Sequence, residues 1–98
     1  MTVTDNAAKN RFELLDDERV VGWVDYRRAG GSVIALHTEI ADGNERRGLG
    51  SVLVRGMLDQ LEAGGKTVIP MCPFTAAYIR RHPEYARVVD SSLRDQFS

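Results

Sequence analysis

"ERRGLGSVLV", residues 45–54, is where the apolar spacing of the chain changes from period two to period 3.6. From Leu49 onward, Leu49, Val52, Leu53, Met57, Leu58 and Leu61 fall on one stripe, with Arg55, Asp59 and Glu62 outside it. That spacing predicts a long amphipathic helix ended by Gly64-Gly65. Gly48 and Gly50 lie at its start, where backbone N–H groups are free and the helix end is positive. A glycine there leaves no Cβ in the way of an approaching phosphate, and Arg46 and Arg47 add positive charge beside it. The stretch therefore reads either as an anion-binding turn or as an ordinary glycine-rich helix start. It is not a Walker loop, because no Gly-Lys-Ser/Thr ending follows. It lacks the third glycine of a Rossmann fingerprint.

Upstream, the period is that of strands. "RFELLD" (11–16) reads as an edge strand and Asp16-Asp17 as a turn. "RVVGWVDYRRAGG" (19–31) is a second strand, with Val20, Gly22, Val24 and Tyr26 on one face and Gly30-Gly31 closing it. "SVIALHTEIA" (32–41) is a third, with Val33, Ala35, His37 and Glu39 on one face and Ile34, Leu36, Thr38 and Ile40 on the other. Both faces are largely apolar, as in a central strand covered on both sides. Residues 1–10 are polar and expected to fray, ahead of a single domain over 11–98. Downstream, "KTVIPMC" (66–72) is a fourth strand, parallel to an earlier one because a helix crosses between them. "PFTAAYIRR" (73–81) is a second helix, stopped at His82-Pro83; the remainder adds at most a short piece. The order β-β-β-α-β-α makes an α/β fold with a mixed sheet and helices packed on it.

Composition narrows the function. With 98 residues and a net charge of −1, nothing marks the chain as a nucleic-acid binder. No apolar run reaches the roughly 20 residues a bilayer span needs, and residues 1–10 carry no apolar signal core. One cysteine cannot form an internal disulfide, which suits a reducing cytoplasm.

That cysteine is Cys72. Pro73 suits the first position of a helix, which makes Cys72 the N-cap and places its sulfur at the positive dipole end. Only about 3% of an ordinary thiol is ionised at neutral pH, and a drop of one to two pKa units raises that to roughly 25–75%. Cys72 is read as a nucleophile, as a lining residue or as a small buried apolar group. His37 and Glu39 share a strand face and can take a proton from an attacking amine; alternatively His37 is a hydrogen-bonded interior residue and Glu39 a rim charge. The His-x-Glu pattern also occurs in zinc deaminases, but those need a Pro-Cys-x-x-Cys segment that one cysteine cannot supply, so no metal is expected.

Strand, "ERRGLG", long helix, strand and helix in that order resemble the Gcn5-related N-acetyltransferase (GNAT) superfamily. "HTEI", "ERRGLGSVLV" and "KTVIPMCPFTAAYIRRHPEY" are similar to its small single-domain branch, over about residues 12–89. The resemblance implies acetyl-CoA as cofactor, with its pyrophosphate on the backbone amides of Arg46, Arg47, Gly48, Leu49, Gly50 and Ser51. It implies pantetheine lying where the strand of Thr38 and Ile40 splays from the strand leading to Cys72 and Pro73. The acetyl carbonyl is then polarised by an N–H near Ile40 or Met71. Cys72, Glu39 and His37 are the implied catalytic residues, with Tyr78 either a proton donor to the departing thiolate or a packing residue. Glu45 departs from the family's usual Gln or Arg, and the chain lacks the helices that wall the acceptor site in larger members. The expected activity is acetyl transfer from CoA to an amine of unknown identity, by a monomer or weak homodimer. The alternatives are a CoA or acyl-CoA sensor without turnover, or an interaction protein that keeps only the fold.

Overall fold

The computed structural model of the chain describes residues 1–45 and 48–97. Its elements are β1 (Thr2–Asn6), β2 (Arg11–Asp16), β3 (Arg19–Ala29), β4 (Ser32–Ile40), α1 (Leu49–Ala63), β5 (Thr67–Pro70) and α2 (Pro73–Arg81), followed by 3-10 segments at Pro83–Val88 and Arg94–Gln96. The strands form one sheet in the order β1-β2-β3-β4-β5. The first four are antiparallel neighbours, and β5 runs parallel to β4 after the α1 crossover. This is the mixed sheet with packed helices that the change of period predicts. The tight reversals fall at Asp17 and Gly30, both at positive φ.

The first strand was not legible. Thr2–Asn6, within the stretch expected to fray, pairs along β2 from Thr2↔Leu15 to Asn6↔Arg11. Long-range contacts hold it. Val3 sits over Gly56 of α1 so closely that a Cβ there would lie 2.5 Å from its Cγ2. Gln60 donates to the Val3 carbonyl at 2.5 Å, and Tyr26 donates to Asp5 at 2.5 Å. The edge position is therefore taken by β1, and β2 is an interior strand.

β4 carries a β-bulge. Asp25 pairs with His37 but Tyr26 pairs with Ala35, which leaves Leu36 as the extra residue. A bulge resets the alternation, so the faces are not those of a regular strand. Val33 and Ala35 are buried, and beyond the bulge it is Thr38 and Ile40 that turn inward. Ile40 reaches toward Gly22 on the side of Leu53 of α1. His37 and Glu39 remain together on the opposite face.

Both helices pack on the inner face. α1 buries Leu49, Leu53, Val54, Met57, Leu58 and Leu61, while Val52, expected in the stripe, lies at its margin. α2 meets α1 through Phe74, whose ring occupies the space a side chain on Gly50 would need. The opposite face of the sheet has no helix on it among the described residues: Leu36 is 42% and Met71 64% exposed, and His37 and Glu39 are open to solvent. The expectation that β4 is covered on both sides is thus corrected. The chain supplies its described helices to one side only. The tail closes the sheet beyond β5: Val89 bridges Val68, Asp90 N–H donates to the Val68 carbonyl at 2.9 Å, and Tyr85 donates to Asp59 of α1 at 2.7 Å.

Candidate functional site

β4 and β5 separate. Their pairing ends at Ala35↔Pro70, and the last bond between them is Cys72 N–H to the Ala35 carbonyl at 2.8 Å. From Leu36 on, β4 keeps β3 as its neighbour and, among the described residues, has no strand on the other side. Ala41 N–H donates to the Val21 carbonyl, so by the alternation of an antiparallel ladder Glu39 and His37 turn their backbone groups to β3. Thr38 and Ile40 turn theirs to the open side. Proline and helix chemistry explain why β5 leaves: Pro70 ends it, and Pro73 starts α2 two residues after Met71.

Cys72 stands at the floor of this split. It is the N-cap of α2, with extended backbone and Pro73 in the first turn, as its neighbours predict. Its side chain makes no capping bond; instead Sγ lies 3.2 Å from the Thr38 hydroxyl across the split. The residue is 2% exposed. Burial pushes the thiol up, but the Thr38 hydroxyl, the Thr75 amide and hydroxyl and the Phe74 amide favour the thiolate and together bring the pKa below its ordinary value.

On the bare side of the sheet, His37 Nε2 and Glu39 Oε1 are 2.7 Å apart. Both side chains are about half exposed, so this is a rim pair rather than the interior histidine. The hydrogen bond to Glu39 raises the imidazole's pKa despite a small opposing effect of desolvation; the charges of Glu39, Asp25 and Cys72 add to it. With Nε2–H given to Glu39, Nδ1 keeps a free lone pair.

Among the described residues no side chain caps the start of α1. Gly48 is its N-cap in the left-handed conformation, with φ 67°, no side-chain capping bond and no acidic residue in the first turn. A Cβ at Gly48 would meet nothing within 4 Å, so its surroundings are open. Leu49 and Gly50 are buried and Ser51 is exposed. Arg46 and Arg47, named for the same role, lie outside the described residues.

Not all the candidates converge. Thr38, Ile40 and Cys72 line the split, Pro73 sits at its floor, and His37 and Glu39 flank its outer mouth. Tyr78 lies roughly 9 Å further along α2. It is buried and stacks on His82 and Tyr85 at 4.3 and 5.9 Å between centroids. Burial raises its pKa, Arg55 opposes this, and Asp59 and Glu84 add to it. Met71 N–H, one of two donors named for the acyl carbonyl, is taken by the Ile69 carbonyl at 3.0 Å, which leaves Ile40. Two residues escaped notice. Asp25 is placed beside His37 by pairing of β3 with β4, which no local spacing shows. Thr75 reads as a neutral helix residue, yet it is buried against Cys72.

Among the described residues no group of three or more His, Cys, Asp or Glu is placed to hold a metal ion. No described helix is long and apolar enough to cross a membrane. A family profile described as GCN5-related N-acetyl-transferase matches residues 11–88. A comparison with curated proteins found no match.

Proposed function

The chain belongs to the GCN5-related N-acetyltransferase family, and from that premise we propose that it transfers an acetyl group from acetyl-CoA to an amine. A domain of this family supports acyl transfer in general; the finer reading rests on the split. One observation carries it: β4 and β5 part at Ala35 and Pro70, with Thr38 and Cys72 facing one another across the gap and Gly50, in the first turn of α1, against Phe74 two residues beyond Cys72. The backbone amides from Gly48 to Ser51, with no side-chain cap among the described residues, suit a pyrophosphate, as helix starts do. The open backbone groups of Thr38 and Ile40 suit the amide-bearing pantetheine arm, and an N–H there polarises the thioester carbonyl.

CoA supplies a thioester, whose C–S bond breaks as the acceptor nitrogen bonds to the carbonyl carbon. His37 takes the amine's proton at Nδ1, steadied by Glu39, and the thiolate of CoA leaves. Cys72 offers a second route, in which its thiolate bonds to the thioester carbonyl carbon as CoA leaves as a thiolate, and the amine then takes the acetyl group and releases the Cys72 thiolate. A CoA sensor without turnover is the competing reading, favoured by the outer face, where no described helix walls an acceptor.

Incubation with acetyl-CoA and no acceptor, followed by intact-mass measurement, separates these. A gain of one acetyl group that disappears in Cys72→Ala establishes the covalent route. No gain, with CoA released only when an amine is added, establishes direct transfer. Binding without CoA release under any amine leaves the sensor.

A further inference from the structure

We propose that Thr75 is a positioning residue for Cys72: its buried hydroxyl, with that of Thr38, completes a set of donors that favours the charged form of the sulfur at the floor of the split. The observation behind this is independent of the cysteine. Thr75 is 0% exposed, and its Oγ1 is the buried side-chain oxygen or nitrogen without a hydrogen-bond partner among the described residues. Folded proteins rarely leave such a group unpaired, because it gives up water and receives nothing. Valine has the same shape and would fill the volume without an orphan.

The hydroxyl is not idle if its partner changes state. Thr75 is the third residue past the N-cap, one turn along α2 and beside Sγ. A neutral thiol is a weak acceptor, whereas a thiolate accepts several bonds. The Thr38 hydroxyl lies 3.2 Å from the same atom, and the first-turn amides of Phe74 and Thr75, which make no capping bond to the thiol, favour its charged form. Deprotonation of Cys72 therefore offers the Thr75 hydroxyl an acceptor that the thiol form does not. The charged surroundings are few. β4 contributes His37, with Glu39 beside it and Asp25 behind on β3. α2 contributes Tyr78, which faces Arg55 and Asp59 of α1. α1 meets this end of α2 through Gly50 and Phe74, which do not titrate.

The proposal rests on the acetyltransferase reading only for what the thiolate is used for; the thiolate itself is tested without CoA. The ultraviolet absorbance of the thiolate is followed against pH in the full chain, with Cys72→Ala as the blank. Thr75→Val should move the midpoint up by about one unit, a roughly tenfold loss of thiolate near neutrality, and Thr75→Ser should restore it. Thr75→Ala, which removes the hydroxyl without adding branching, should match the valine variant and guards against a fold that rejects one of them; circular dichroism checks both. A midpoint unchanged in Thr75→Val and Thr75→Ala overturns the proposal, as does a serine variant that behaves like valine. Failure of the wild-type chain to bind CoA would sink the acetyltransferase reading and leave these midpoints untouched.

Discussion

The proton shared by His37 and Glu39 sets how the site should respond to pH. Hydrogen bonding to Glu39 favours the imidazolium and lifts His37 above its ordinary 6.5. A general base must be neutral, so kcat/KM should rise with pH through an apparent pKa above that value. Glu39→Gln keeps a hydrogen-bonding group but removes the charge, and the rising limb should move to lower pH. His37→Gln should lose the limb and about 10²–10⁴-fold in rate. A pH–rate profile checks both, and a limb that stays put in Glu39→Gln would exclude His37 as its source. His37 and Glu39 were legible as a pair because two residues apart on a strand means the same face. Their partner Asp25 was not, since it arrives by cross-strand register.

Secondary-structure elements differ in how much of themselves they write locally. α2 starts at Pro73 and ends before His82-Pro83, as expected, because proline permits one end of a helix and forbids the other. β1 is the contrary case. "TVTDN" has one apolar side chain, Val3, and that residue becomes ordered because a glycine 53 positions later leaves room for it. Gly56→Ala pushes a methyl into Val3 and should cost about 1–3 kcal/mol, with faster amide exchange across β1 than across β3. A denaturant melt and exchange by mass spectrometry measure these; uniform protection in the variant would contradict the contact. The bulge at Leu36 was equally hidden, since it exists only against β3. At the other edge, Asp90 accepts from the Ser92 and Ser32 hydroxyls and the Ser92 amide, which holds its carboxyl below the usual range. A depressed carboxyl stabilises the fold above its unfolded pKa and ceases to do so as pH falls through the folded one. Asp90→Asn should therefore lower the melting temperature near neutrality and flatten its fall in acid; an unshifted acid limb would count against this tie.

At the scale of the molecule, α1 and α2 lie on one face of a five-stranded sheet, and among the described residues no helix covers the other face beside the split. Reactants can thus approach from two sides: the phosphate-bearing arm along the start of α1, the acceptor over His37, Glu39, Leu36 and Met71. The order of motifs made the fold and the glycine turn legible. The separation of β4 from β5 was expected from family resemblance alone, because nothing in "KTVIPMC" states where pairing stops. The buried hydroxyl of Thr75, unpaired among the described residues, had no sequence signal at all. Central to all of this is CoA at the split, and Gly48 tests it most directly. Its φ of 67° suits glycine, and a branched side chain there both strains the turn and adds bulk at the start of α1. A calorimetric titration of CoA into the wild-type chain and Gly48→Val should show saturable binding in the first and at least about tenfold weaker binding in the second, with the melting transition retained. No binding to the wild-type chain, or equal affinity in both, would contradict it.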